Sequence, residues 1–131
     1  MHTPDSKDGL IAEVAKAADL CMKPYVHSVF LENQLDDDNE LDDLIFKIQS
    51  RNIDGERDES MDIELEVYTS GNEVNLTISW KSLIDRPILW QGKHAVWMDS
   101  SSGVQCETPS YGKPFESLAR RLSTVFKASL N

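Results

Sequence analysis

From Met61 to Trp80 apolar and polar residues alternate almost without a break. Met61, Ile63, Leu65 and Val67 alternate with Asp62, Glu64, Glu66 and Tyr68, and after Ser70-Gly71-Asn72 the phase resumes with Val74, Leu76, Ile78 and Trp80 against Glu73, Asn75, Thr77 and Ser79. A period of two is the pattern of a strand with one dry and one wet face. Gly71 and Asn72 accept the positive φ that tight turns demand, so residues 61–82 are predicted to form an antiparallel hairpin whose apolar face needs a cover.

Two segments have a stripe wide enough to supply that cover. Leu10, Ile11, Val14, Ala18, Cys21 and Met22 recur at spacings of one, three and four, which predicts a helix from about Asp8 to Met22. Asp8 suits its N-cap and Pro24 ends it, since proline disfavours helical geometry at the residue before it. At the other end of the chain Phe115, Leu118, Ala119, Leu122, Val125 and Phe126 form a stripe opposite Arg120, Arg121 and Lys127, with Pro114 in the first turn. These helices are expected to share the apolar face of the hairpin or to supply the two halves of a dimer.

The intervening segments are less periodic. Residues 25–31 read as a strand, with continuation of the first helix after a kink as the competing reading. Leu41, Leu44, Ile45 and Ile48 have helical spacing, and the acids of residues 36–43 sit at the favoured N-terminal end of the dipole. A short acidic helix from about Asp38 to Gln49 is therefore predicted; the alternative makes residues 44–53 a strand paired with the hairpin. Residues 52–60 carry a glycine, five charges and no apolar anchor, so they read as a mobile loop. Residues 88–90 and 94–99 form a second hairpin around Gln91-Gly92-Lys93, and residues 104–107 add a further strand. The expected architecture is an α+β fold: an antiparallel β-meander of about five strands, an N-terminal and a C-terminal helix packed on one face, and the short acidic helix. At 131 residues one domain accommodates all of it.

Composition narrows the classes of function. No apolar run approaches the length of a membrane span, and acids interrupt the N-terminal segment too early for a signal peptide. Cys21 and Cys106 have no CxxC spacing, which suits reduced thiols in a cytoplasm. The formal net charge is −10, and residues 32–62 hold twelve acids against Lys47, Arg51 and Arg57, a net of −9. Such a surface repels phosphate backbones and attracts basic proteins.

Motifs for chemistry are absent. Asp36, Asp38 and Glu40 match the first ligand positions of a calcium loop, but Leu41 stands where the loop needs glycine and Lys47 where it needs glutamate. A solvated acidic face is the simpler reading of Asp36, Asp37, Asp38, Glu40, Asp42 and Asp43. His2, His27 and His94 have no zinc-type spacing, and neither a phosphate-cradling loop nor a nucleophile elbow occurs. No metal or cofactor is expected. Trp80 follows the apolar phase of its strand, whereas Trp90 and Trp97 flank the Gln91-Gly92-Lys93 turn, where pairing could bring them together with His94 to line a groove.

These features favour a non-catalytic, cytoplasmic binding or accessory protein, monomer or homodimer, whose acidic segment at residues 32–62 meets a basic protein partner rather than nucleic acid or membrane. Small acidic inhibitors, immunity-like proteins and secretion-type chaperones share this general character. One alternative is a small enzyme or ligand-binding domain with a pocket between sheet and helices, in which His94, Asp99 and Cys106 converge. A second is a DNA mimic, which needs carboxylates spaced along an extended surface.

Overall fold

The structure is a computed structural model that describes residues 7–32, 43–71 and 73–130. Helix α1 spans Lys7–Cys21 and helix α2 spans Gly112–Leu130. Between them lie β1 (Val26–Leu31), β2 (Asp43–Arg51), β3 (Ile63–Ser70), β4 (Glu73–Trp80), β5 (Ile88–Gln91) and β6 (Ala95–Met98). Each strand pairs antiparallel with the next, giving one six-stranded meander in the order β1-β2-β3-β4-β5-β6.

The predicted hairpin is its centre. Leu65 pairs with Ile78 and Val67 with Leu76, so the apolar residues of β3 and β4 share a face, and Gly71 turns between the strands at φ 63°. Both helices cover that face. In α2 Phe115, Leu118, Ala119, Leu122 and Phe126 are fully buried; the Phe126 ring meets Phe46 at 5.7 Å and the Phe115 ring meets Trp80 at 4.6 Å between centroids. Helix α1 buries Leu10, Val14, Ala17 and Ala18 against β1 and α2, its alanines permitting close approach, and Met22 just past its end is buried as well. The two helices thus share one face of one chain.

Residues 43–51 correct the predicted acidic helix: they form β2, and residues 38–42 lie outside the described residues. Leu44, Phe46, Ile48 and Ser50 point into the core while Ile45, Lys47 and Gln49 point away. Two neighbours decide the matter. β2 lies between β1 and β3 and pairs along both edges, and those ladders bury an alternation that the apolar Ile45 on the outer face disguises. Residues 104–107 form no strand; only the isolated bridge Met98 to Gln105 remains. β1 and β2 join the meander and residues 104–107 leave it, so the expected five strands become six.

The segment 52–60 leaves Ile53 exposed and has no apolar anchor of its own, but Met61 behind it packs against the core and polar bonds tie the segment down. Asp62, counted in the sequence among the wet-face acids, precedes β3 and is buried at 6% exposure. Arg57 clasps its carboxylate through two nitrogens at 2.9 and 2.8 Å, and the Ser50 amide donates to it at 2.8 Å. Arg57 also donates to the Ser50 carbonyl, and the Ser50 hydroxyl to that of Met61. A buried carboxylate survives only when matched in this way.

Two outcomes test this architecture. Leu122→Ala should cost about 2 to 5 kcal/mol in urea melts, while Arg121→Ala, on the exposed side, should cost under about 0.5 kcal/mol; equal stabilities would contradict the assignment of α2 as the cover. For Asp62, burial pushes the pKa up, but the Arg57 hydrogen bonds, the Ser50 amide and the Arg57 charge outweigh it, leaving it below the ordinary 3.8. A depressed folded-state pKa gives stability that is present above the unfolded value and is lost as pH falls through the folded one. Asp62→Asn should therefore cost roughly 1 to 3 kcal/mol at neutral pH, and the gap from wild type should close only below about pH 4. A gap independent of pH down to unfolding would show that the ion pair is not its cause.

Candidate functional site

Because the helices occupy one face, the positions of the other face are set by pairing alone. Among the described residues no helix packs on that second face. It carries Phe30 beside Lys47, Glu64 beside Ser79, and Tyr68 beside Asn75, followed by Thr77, Trp90 and Val96 in one cross-strand row. Trp90 is half-buried there, and its indole Nε1 donates to the Tyr68 hydroxyl at 2.9 Å. That bond fixes the ring across two intervening residues of β4, Asn75 and Thr77.

At the β5–β6 turn the ring walls a recess of about 350 Å³ lined by Glu73, Asn75, Trp90, Gly92, Lys93, His94 and Val96. Gly92 makes the close fit possible. A Cβ there would lie 2.8 Å from Trp90 Cη2 and 3.0 Å from Asn75 Oδ1. The recess is mostly apolar with Glu73 and Lys93 among its lining, the composition of small ligand sites, and its size is at the low end for them.

Of the residues expected to bind, Trp90 and His94 do share this recess. Trp97 does not. The register pairs Trp90 with Val96 and Leu89 with Trp97, and the offset of one residue sends the two indoles to opposite faces. Trp97 is buried under α2, its Nε1 donating to Glu116 Oε2 at 2.8 Å and its ring stacked on Phe115 at 6.1 Å. Asp36, Asp37, Asp38, Glu40 and Asp42 lie outside the described residues, and Asp43 opens β2 opposite Tyr68. Sequence reasoning missed Glu73, Asn75, Gly92, Lys93 and Val96 in the lining, and also Tyr68, which holds the Trp90 ring from outside it. Tyr68 and Asn75 stand on the wet phase of the hairpin, and an aromatic facing an asparagine there was the available signal.

The other constellation does not assemble. His94 and Asp99 stand at opposite ends of β6, roughly 16 Å apart at about 3.3 Å per residue. Asp99 is occupied as a turn cap: hydrogen bonds from the Ser101 hydroxyl and from the Ser102 and Ser101 amides hold its pKa down to about 2. The Cys106 amide donates to the Trp97 carbonyl at 2.8 Å, which ties that residue to the far side of β6 from His94. Burial raises the Cys21 thiol above its ordinary 9.0, an effect that Arg121 offsets only in part, so Cys21 is held as a thiol. His27 is buried and its Nδ1 meets Asp19 Oδ1 at 2.9 Å. Among the described residues no three histidine, cysteine or acidic side chains converge as metal ligands, and no helix is long and apolar enough to cross a membrane.

Residues 11–125 match the model of a domain of unknown function (DUF8659). The chain belongs to the DUF8659 family. No curated protein and no solved structure matches it. The matched region runs from the second residue of the α1 stripe to the last turns of α2, so the family is defined over the whole sandwich of helices and sheet, with the Trp90 recess inside it.

The recess makes a specific demand on Gly92. Gly92→Ala should push the Trp90 indole off Tyr68, costing about 1 to 3 kcal/mol by overpacking and shifting the Trp90 indole N–H resonance toward that of a water-bonded indole. An unchanged resonance with unchanged stability would contradict the close packing described for this turn.

Proposed function

We propose that this protein is a non-catalytic interaction module that takes a basic protein partner on its acidic segment, residues 32–62. The observation carrying this reading is an imbalance within that segment. Its cations are used internally: Lys47 pairs with Glu32 at 3.3 Å, Arg57 with Asp62, and Arg51 donates to the Gly55 carbonyl. Asp54, Glu56 and Glu59 remain exposed, and no described cation comes within ion-pair distance of them. Carboxylates left uncompensated on a loop anchored by the Arg57–Asp62 clasp offer a fixed negative patch, which steers and selects positive surfaces. The reading includes a cytoplasmic setting, supported by the unpaired thiols of Cys21 and Cys106.

The alternative is a ligand-binding domain that uses the Trp90 and His94 recess, which the volume and apolar walls of that recess favour. One experiment separates the two. Affinity capture on the intact chain is compared with capture on the triple variant Asp54→Asn, Glu56→Gln, Glu59→Gln, and on His94→Ala, at low and high salt. The proposal expects basic proteins retained by the wild type and by His94→Ala, released by salt because a patch of this kind is screened, and not retained by the triple variant. Retention indifferent to salt and to the triple variant, but lost in His94→Ala, would overturn it in favour of the recess.

A further inference from the structure

The outer edge of the sheet carries a second, independent inference. Strand β1 has β2 on one side and no neighbour on the other among the described residues. The Glu32 amide donates to the Ile45 carbonyl at 2.7 Å, which sets the phase of the β1–β2 ladder. In an antiparallel pair alternate residues exchange both bonds, so Ser28, Phe30 and Glu32 turn their backbone groups toward β2, and His27, Val29 and Leu31 turn theirs outward. One outward donor is already taken. Asp19 Oδ1 accepts from the His27 amide at 2.9 Å while holding the His27 ring.

Val29 and Leu31 are left as an open edge beyond the Asp19 bond at His27. Residues 26–31 contain no proline, lysine or glycine, and Phe30 is 50% exposed on the second face. We propose that two copies of the chain join through β1, antiparallel about a two-fold axis at Phe30. Val29 of each copy then pairs with Leu31 of the other, which satisfies all four outward amides and carbonyls of those residues, and the two Phe30 rings meet side by side as a non-hydrogen-bonded pair. Ser28 falls opposite Glu32 of the second copy, so no like charges face each other across the seam. A register shifted by two residues toward the N-terminus would need the His27 amide, which Asp19 holds. The carboxylate therefore disfavours that shifted register relative to the one centred on Phe30.

This inference does not depend on the basic-partner reading, and its salt dependence has the opposite sign. Two chains of charge −10 repel, so screening should tighten the dimer where it loosens a basic partner. Sedimentation equilibrium on the full chain should show a concentration-dependent dimer whose association strengthens several-fold between about 50 and 500 mM salt. Phe30→Lys, which sets two ammonium groups against each other at an exposed position, should weaken it by about tenfold or more. Ile84→Lys, with the same charge change at a side chain 74% exposed in the β4–β5 connection, should not. Amide exchange at Val29 and Leu31 should slow as the dimer fills. A monomer at all concentrations up to about 1 mM, or a dimer that Phe30→Lys leaves intact, would overturn the proposal and leave the capture result on the acidic loop untouched.

Discussion

The structure depends on the seating of α2 across the apolar face of the central strands. Phe115, Leu118, Leu122 and Phe126 are fully buried there, and each large side chain removed from water contributes roughly 1.5 to 3 kcal/mol. A helix on that face dictates which residues of every strand can be apolar, because strand pairing carries the phase from β3 and β4 outward to β1 and β6. Trp80 and Trp97 fall on the covered side, where they pack with Phe115 and Tyr111, and the Arg86 guanidinium lies 5.1 Å from the Tyr111 ring centre. Trp90 falls on the other side for the same reason. The recess at the β5–β6 turn is thus a consequence of how the core is sealed.

What could be read from the chain follows the strength of its periodicity. The β3–β4 hairpin and both helices were legible because each shows one period over many residues, and because only two stripes were wide enough to cover a sheet. Strand β2 was not. Leu41, Leu44, Ile45 and Ile48 satisfy helical spacing, and what overrides it is hydrogen bonding on both edges, a tertiary fact that local pattern does not contain. Trp90 and Trp97 were misjudged as neighbours for a related reason. Residues 88–91 form a short strand with three apolar residues in succession, so its phase is invisible until the register is known.

The candidate sites divide along the same line. The negative balance of residues 32–62 is a matter of counting and was plain, but its distribution was not. Asp62 reads as a wet-face acid by alternation, yet it is the buried member of the clasp that holds the 52–61 segment, and that clasp occupies the Arg57 guanidinium. The internal use of Lys47 and Arg57 is what leaves Asp54, Glu56 and Glu59 uncompensated. The block on the β1 edge was equally hidden, since Asp19 and His27 lie on different elements and meet only after α1 docks.

The claim on which the rest turns is the assignment of Trp90 and Trp97 to opposite faces. Nuclear Overhauser contacts from the three indole rings test it most directly. The account predicts contacts from Trp97 to Tyr111 and Phe115, and from Trp90 to Tyr68, with none between the Trp90 and Trp97 rings. Contacts between those two rings, or from Trp90 to any side chain of α2, would mean that the β5–β6 register is wrong and that both the recess and the cover over the sheet have been misplaced.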